Sequence, residues 1–309
     1  MRILRVVGLV SAVTLPVLTC ETSTVLSTGN VTRTFITDSP FPYHRVARVD
    51  LYVVSVSASL TPDTSAGSSS FVTLATPHRL INVLALQNGM RDELGSAALP
   101  SGSITAVRMV IDTDSSSITL RSGAVLTGNS TPGIHWQSSA GRPVLNALVN
   151  EQINVPTEGG HVVIDYDVGE AFIPPQVIDP TSTDSGFVFS PVLRAVDETR
   201  SGWIVGTVRA QSSSGSPVVD ASLQLYFGRP ADPENTWSRF GTAMTDAAGN
   251  FRFSSVTRSD YWSTFPAHVG KTYIVTVDPP PGSPRARMVV PNITVSAAVG
   301  TDLGTVALP

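Results

Sequence analysis

Short apolar runs, separated by Gly, Pro, Ser and Asn, recur from residue 31 to residue 196. The runs are rich in Val, Ile and Thr, which favour β-strands over surface helices. They lie at residues 33–37, 46–60, 71–75, 80–86, 104–111, 118–120, 144–149, 162–168 and 187–193. Residues 79–92 also allow a turn or two of helix, but they are too short and Gly-punctuated to change the class. The pattern predicts an antiparallel sandwich or barrel.

The longest run, residues 46–60, changes its inward face part-way along. Its apolar residues stand first on odd and then on even numbers: Val49, Leu51 and Val53, followed by Val54, Val56, Ala58 and Leu60. A regular strand cannot do this, because its side chains alternate strictly between two faces. The sequence therefore predicts a β-bulge or bend between Val53 and Val54.

A charged segment without apolar residues, residues 197–201 (DETRS), divides the chain. Beyond it a second set of β-type runs lies at residues 203–210, 221–227, 250–255, 273–277, 288–295 and 303–308. Residues 245–251 predict a hairpin turn, with Asp246 bonding forward to the turn backbone and Gly249 at positive φ. We expect an all-β protein with two antiparallel β-sandwich-type domains in tandem, at residues 31–197 and 202–309.

The N-terminal segment has the form of an export signal. Arg2 and Arg5 precede a mainly apolar run at residues 6–18, which is shorter than the roughly 20 residues that span a bilayer. Residues 17–20 (VLTC) follow, and they resemble the lipobox of bacterial lipoproteins, although Thr19 replaces the usual Gly, Ala or Ser. The resemblance implies a signal peptide at residues 1–19 and a lipid on Cys20, with residues 20–30 as the lipidated N-terminus and tether.

Composition limits the covalent cross-links and the classes of partner that the chain can have. Cys20 is the sole cysteine, so intramolecular disulfides are ruled out, and an ordinary signal peptide with an incidental cysteine is the alternative to lipidation. Charged residues make up 14% of the chain and the formal net charge is −4. Because no basic block exists, nucleic acid is not an expected partner. The expected place is the bacterial cell envelope, with a membrane contacted through the lipid anchor.

The first half resembles the bacterial lipoprotein family catalogued as domain of unknown function 4382. The resemblance covers residues 31–196 and is carried, in that family's order, by residues 37–40 (TDSP), 49–53 (VDLYV), 84–89 (LALQNG), 99–102 (LPSG), 163–167 (VIDYD) and 191–194 (PVLR). The sequence departs at Ser39, where that family tends to have alanine. The family has no assigned activity, so the resemblance implies a location without a function.

The second half resembles the carboxypeptidase regulatory-like domains, which are transthyretin-type sandwiches classed near carbohydrate-binding folds. The resemblance covers residues 202–309 and is carried by residues 206–208 (GTV), 217–221 (PVVDA), 245–253 (TDAAGNFRF) and 273–277 (YIVTV). Such domains accompany peptidases, receptors and surface proteins. The resemblance implies an accessory module, and fold alone does not give function.

Catalytic motifs are absent from the sequence. None of the five histidines begins the H-E-x-x-H pattern of zinc peptidases, and neither a G-x-S-x-G elbow nor a P-loop occurs. The sequence therefore predicts no catalytic residue and no cofactor.

Two acidic pairs are the best candidates for a polar site. Strand alternation at residues 161–167 puts Asp165 and Asp167 on one face, and Asp112 and Asp114 form a similar pair at the end of residues 104–111. If the two strands were neighbours, the four carboxylates would suit Ca²⁺. An exposed strand face carrying acidic residues is the favoured interpretation, because no ligand-rich loop accompanies the pairs.

Aromatic residues in loops are the candidates for a sugar-binding surface. Trp136 lies in a Gly/Ser-rich loop, and Trp237, Tyr261 and Trp262 lie in loops of the second half. Exposed rings of this kind stack on sugars, but more often they plug the end of a sandwich.

Three functions remain open from the sequence. The first is a non-enzymatic envelope lipoprotein that binds or scaffolds an unknown envelope protein or glycan. The second is a carbohydrate-binding surface module, and the third is a hydrolase that uses Asp165 and Asp167.

Overall fold

A computed structural model describes residues 31–39, 45–61, 70–136, 141–173 and 186–309. The predicted signal segment, Cys20 and the tether lie outside these residues. Among the described residues, no helix is long and apolar enough to cross a membrane. The chain is all-β, as predicted.

The strands of the first half are short, apart from two long ones. They are β1 (Val31–Ser39), β2 (Val46–Ser59), β3 (Phe71–Ala75), β4 (Arg79–Asn82), β5 (Asp92–Ala98), β6 (Gly102–Ile104), β7 (Ala106–Leu120), β8 (Val125–Leu126), β9 (Ile134–His135), β10 (Val144–Ala147), β11 (Ile153–Val155), β12 (Gly160–Asp167), β13 (Phe172–Ile173), β14 (Phe187–Phe189) and β15 (Leu193–Asp197). One turn of 3-10 helix, Val83–Leu86, follows β4, and the short helix α1 (Val168–Ala171) follows β12.

The second half has seven strands. They are β16 (Ser201–Ala210), β17 (Ser222–Gly228), β18 (Ser238–Met244), β19 (Asn250–Thr257), β20 (Thr272–Asp278), β21 (Met288–Ile293) and β22 (Gly300–Leu308). The helix α2 (Ser259–Ser263) follows β19, and short 3-10 turns lie at Glu198–Arg200, Glu234–Thr236 and Pro266–His268.

Two main sheets form the body of the first half. One has the order β15-β12-β1-β5, and the other has the order β10-β7-β2-β3, with β4 paired to β2 and β8 paired to β7. Smaller sheets join β11 to β6 and order β13-β14-β9. A single apolar cluster, which includes the fully buried Leu51, Met109, Ile164 and Tyr166, belongs to these strands. Burying such a cluster is the main favourable contribution to folding.

The second half encloses a separate core between sheets ordered β19-β16-β22 and β18-β17-β20-β21. Its predicted turn forms as expected. The Asp246 carboxylate accepts hydrogen bonds from the backbone N–H groups of Ala248 and Asn250, at 2.9 and 2.8 Å, and Gly249 has φ +80°.

The predicted irregularity in the longest strand is confirmed. The pairing of β2 with β7 shifts register between Val53 and Ser55, so Val54 is an extra residue. Val53 and Val56 are both fully buried. The bulge lets one strand turn two successive apolar sets toward the interior.

Most strand pairs are antiparallel, as predicted, but β1 pairs with β12, β9 with β14 and β16 with β22 in parallel. Parallel neighbours need a long crossover, and here the chain between β1 and β12 carries the whole second sheet. The β1–β12 pair lies at the centre of its sheet and places residues 163, 165 and 167 opposite Phe35, Thr37 and Ser39.

The turn that leads into β12 fixes the start of this parallel pair. Gly159 has φ +96°, and its N–H donates to the carbonyl of Pro156 at 3.0 Å. A Cβ at Gly159 would lie 2.3 Å from the carbonyl oxygen of Val31 at the start of β1. The close approach of the turn to β1 therefore requires glycine.

We expect Gly159→Ala to lower the free energy of unfolding by clearly more than Gly123→Ala does. Both glycines have positive φ, which adds roughly 1–2 kcal/mol of strain for alanine, but a Cβ at Gly123 would meet nothing within 4 Å. Urea unfolding of the two variants measures the difference. Equal losses would contradict the importance of the contact with Val31.

Candidate functional site

The outer face of the β15-β12-β1-β5 sheet is covered by the second half of the chain. A small apolar cluster of Phe35, Val163 and Val196 lies on this face, apart from both main cores. Val163 lines a cleft together with Trp203 and Arg252 of the second half. Thr242 of β18 hydrogen-bonds to Asp167 at 3.3 Å across the contact. The two halves therefore meet through a defined interface.

Two aspartates and one arginine lie buried in this interface. Asp165 is 6% exposed, Asp167 is fully buried and Arg194 is 8% exposed. Arg194 stands directly opposite Asp165 on β15, and its Nη1 lies 3.9 Å from Oδ2 of Asp167. The guanidinium also lies over the ring of Phe240 from the second half, 5.7 Å from its centroid. Predicting an exposed strand face was wrong, because the second domain covers it.

Burial governs the charge state of the two carboxyl groups. It raises the pKa of Asp165 to about 7, with Arg194 opposing the shift and Asp167 adding to it. Burial also raises the pKa of Asp167, and Arg194 again opposes the change. A single arginine therefore compensates two carboxyl groups incompletely, as expected where desolvation disfavours the charged form.

The same aspartates have structural partners. Asp167 caps α1, because its Oδ1 accepts the N–H of Glu170 at 3.1 Å. Glu170 in turn pairs with Arg239 of β18. The acidic end of β12 thus holds both the following helix and the second domain in place.

A second polar contact closes another side of the interface. The carboxylate of Glu151, whose side chain is 10% exposed, forms ion pairs with Arg200 at 2.5 Å and Arg258 at 2.8 Å. Tyr261 donates its hydroxyl hydrogen bond to the carbonyl of Asn150. A nearly buried carboxylate held by two arginines is a stronger contact than an exposed ion pair, and removing one partner would leave a buried charge.

The two halves also leave an open cleft of about 120 Å³, which we call the interdomain cleft. Its lining residues come from both halves: Thr37, Gly89, Arg91, Val163, Glu198, Ser201, Gly202, Trp203, Arg252, Ser254 and Ser255. Clefts between domains are common places for ligands.

Irregular backbone shapes one wall of this cleft. The pairing of β16 with β19 shifts register between Gly202 and Ile204, so Trp203 lies on a bulge. Opposite it, Ser255 has φ +56°, a conformation that non-glycine residues adopt rarely. Bulges often re-aim a side chain beside a functional site. Here the bulge directs the Trp203 ring beneath the Arg252 guanidinium, 4.9 Å from the ring centroid.

Arg252 is the unpaired cation of the cleft. Its Nε donates to the Ser254 hydroxyl at 3.1 Å, and no carboxylate among the described residues lies within salt-bridge distance. Burial lowers the pKa of Arg252, although the guanidinium stays charged at neutral pH. A half-buried, charged and unpaired guanidinium is a site for an anionic group.

The opposite wall holds a neutralised cluster. The Glu198 carboxylate pairs with Arg91 and accepts a hydrogen bond from Nδ1 of His161 at 2.6 Å. Burial raises the pKa of Glu198, but the bonds from His161 and Arg91 outweigh it, so the pKa lies below its usual range. Arg91 also lies over the Phe35 ring, 4.4 Å from its centroid. Because Arg91 is already paired, Arg252 carries the available positive charge.

The structure does not bring the predicted calcium ligands together. Asp112 and Asp114 lie on β7, whose neighbours are β2, β8 and β10, whereas Asp165 and Asp167 lie on β12 in the other main sheet. Asp112 binds Arg142 and the N–H of Ser115, both at 3.1 Å. No group of three or more His, Cys, Asp or Glu residues suited to a metal occurs within the described ranges. The condition for a four-carboxylate site is therefore not met.

The four candidate sugar-binding residues are spread over three places. Trp136 packs edge-on against Phe189 and Phe172 at the end of the first core. Trp237 donates to the carbonyl of Arg229 at 2.9 Å. Tyr261 neighbours Trp262, whose Nε1 donates to the Tyr273 hydroxyl at 2.8 Å beside the second core. They do not form one shared platform.

A family model described as "Domain of unknown function (DUF4382)" matches residues 28–184, about half of the chain. The chain belongs to this family. The resemblance of the first half is thereby confirmed. The match includes β1, β5 and β12, so the family segment supplies Thr37, Gly89, Arg91 and Val163 of the cleft lining, while the remaining lining residues lie beyond it.

Solved structures give weaker similarities. The Bacillus anthracis TIE protein is 11% identical, with a TM-score of 0.21, over 90% of this chain and 34% of that one. A streptococcal ancillary pilin is 10% identical, with a TM-score of 0.22, over 90% of this chain and 62% of that one. GBS52, the minor pilin of Streptococcus agalactiae, is 8% identical, with a TM-score of 0.21, over 90% of this chain and 95% of that one.

The chain thus spans about a third and about three-fifths of the first two structures. Identities and TM-scores this low identify no shared function. No curated protein matches the chain.

Sequence reasoning missed the residues that form the cleft, chiefly Arg91, Glu198, Trp203 and Arg252. Arg252 lies next to the buried Phe251, on the outward side of the strand that the sequence predicts at residues 250–255. Its distinguishing feature is the lack of an acidic partner, which depends on the docking of two domains and leaves no local pattern.

We expect Asp165→Asn to stabilise the protein more at pH 8 than at pH 4. The folded pKa of Asp165, about 7, exceeds the unfolded value of about 3.9, so the folded state binds the proton more tightly. Stability from this group is full below pH 4 and falls as the pH rises to about 7. Asparagine removes that fall, by on the order of a few kcal/mol.

Chemical unfolding from pH 4 to pH 8 measures this effect. Asp114→Asn, at an exposed position on β7, is the matched control and should leave the pH profile of stability unchanged. A parallel offset of the Asp165→Asn and wild-type curves over the whole range would contradict the assignment.

Proposed function

We propose that the protein is a non-enzymatic cell-envelope lipoprotein, anchored through Cys20, that binds a partner in the interdomain cleft. The observation that carries the proposal is the cleft itself, in which two docked β-domains surround an unpaired arginine, Arg252. The arrangement supplies recognition groups from both domains. It therefore suits binding or scaffolding.

The interface supports a fixed relation between the two domains. Glu151 joins Arg200 and Arg258, and Asp167 contacts Thr242. The Glu151 contact lies beside Val196 of the small apolar cluster, and the Asp167 contact lies at the end of β12. A cleft whose walls are fixed in this way is pre-organised for a ligand, which lowers the entropy lost on binding.

We further propose that residues 202–309 form a carboxypeptidase regulatory-like module. The two small sheets, of three and four strands, and the turn at Asp246–Gly249 support this assignment. In this view the module is an accessory domain that completes the cleft of the family domain.

The hydrolase alternative has less support. Asp165 and Asp167 are covered by the second domain, and Asp167 is committed to the cap of α1 and to Thr242. A carboxylate pair that a substrate does not reach is better explained by the interface. The carbohydrate alternative likewise loses its shared platform, because Trp262 and Trp136 are packed against the two cores.

Labelling with radioactive palmitate tests the anchor, which rests on residues 17–20 and on the uniqueness of Cys20. We expect label on the wild type and none on Cys20→Ala, since the thioether and amide chains both depend on this residue. Thr19→Gly, which restores the usual small residue before the cysteine, is the matched control and should keep the label. An unlabelled wild type, or label that survives Cys20→Ala, would overturn lipid anchoring.

A further inference from the structure

Two open spaces meet at Arg252. One is the interdomain cleft of about 120 Å³, and the other is a surface groove of about 360 Å³ along the β19-β16-β22 sheet. The surface groove is lined by Asn88, Val205, Gly206, Thr207, Asp246, Asn250, Phe251, Arg252 and Asp302. Arg252 is the residue that lines both spaces.

The inner part of the Arg252 guanidinium, its Nε and Cζ atoms, is held in place from several sides. Trp203 lies against the guanidinium, Ser254 accepts from Nε, and a Cβ at Gly89 would lie 2.6 Å from Nε. Gly89 has φ +84°, so the turn from the first domain approaches Arg252 closely because it is glycine. The terminal nitrogens, by contrast, have no protein partner among the described residues. The fork of the guanidinium is thus pre-oriented and available.

The sizes of the two spaces indicate what reaches Arg252. The interdomain cleft is smaller than the roughly 300 Å³ at which pockets for drug-sized ligands begin, so it admits one functional group and not a whole ligand. The surface groove, at about 360 Å³, is large enough for the remainder of the ligand. A ligand that fits both spaces is elongated and carries one acidic group.

The chemistry of the groove distinguishes a peptide from a sugar. Sugar rings are commonly bound on an exposed aromatic face, but Arg252 covers Trp203, and Phe251 is 2% exposed. In the groove the Thr207 hydroxyl donates to Oδ1 of Asn250 at 3.1 Å, and Nδ2 of Asn250 donates to Asp246 at 3.3 Å. The acceptor side of the Thr207 hydroxyl and the second N–H of Asn250 stay available, and they match the N–H and C=O groups of an extended peptide. Asp246 and Asp302 in the lining would repel further acidic residues, so one acidic residue is favoured over an acidic run.

We propose that Arg252 binds the side-chain carboxylate of a glutamate or aspartate in an extended peptide segment that lies in the surface groove. This inference rests on the proposed function as a binding protein, but it does not depend on the lipid anchor. The planar guanidinium pairs with the planar carboxylate through two parallel N–H···O bonds.

Titration of the purified protein in detergent tests the inference, with Trp203 contributing to the fluorescence signal. The probe is the acetylated and amidated pentapeptide Gly-Gly-Glu-Gly-Gly, compared with its glutamine analogue. We expect saturable binding of the glutamate peptide, and a loss of about tenfold or more in affinity for the glutamine peptide and for Arg252→Gln. Arg252→Lys, which keeps the charge but not the fork, should lie between the two.

Arg121→Gln removes the same charge from an exposed position of the first domain and should bind like the wild type. Circular dichroism and thermal melting establish that the Arg252 variants are folded. Equal affinity for both peptides, no change in Arg252→Gln, or binding of inorganic phosphate or glucuronate in place of the peptide would each overturn the inference. If Cys20 is labelled but no peptide binds, the proposed lipid anchor in the envelope is supported and the proposed peptide ligand is excluded.

Discussion

The burial of two carboxyl groups against one arginine is the constraint on which the architecture depends. Asp165, Asp167 and Arg194 lie on the outer face of a sheet that would be exposed if the first domain stood alone. Covering them with the second domain desolvates all three groups, and the compensation is partial. Oδ1 of Asp167 accepts hydrogen bonds from Thr242 and the N–H of Glu170, whereas Oδ2 of Asp167 and Nη1 of Arg194 face each other at 3.9 Å without a hydrogen bond. The interface is therefore specific in its geometry more than strong in its apolar contacts.

The cleft follows from that geometry. The contact around Asp167 fixes β18, and the contact around Glu151 fixes the segment that follows β19. The cleft opens beside them, where Trp203 lies on a bulge and Ser255 takes a left-handed conformation. Irregular backbone of this kind persists only where the surroundings determine it, and it is concentrated at functional sites. This irregular backbone sets the position of Arg252. The docking of the two domains leaves its guanidinium without an acidic partner.

Local features of the fold could be predicted from the sequence, and long-range ones could not. The parity change at Val53 and Val54 predicted the bulge in β2, because side-chain alternation is a property of neighbouring residues. The turn at Asp246 was predictable for the same reason. The parallel pairing of β1 with β12 was not, because it joins residues more than 120 positions apart, and several topologies satisfy the same strand pattern.

The acidic pair on β12 shows the same limit for the site. Alternation correctly placed Asp165 and Asp167 on one face, yet periodicity cannot tell a face that meets water from one that meets another domain.

The most direct test of the account is scanning calorimetry of the whole chain. One transition with equal calorimetric and van't Hoff enthalpies is the predicted result, because the interface couples both cores. Two independent transitions would contradict the claim that the domains and their cleft form one unit.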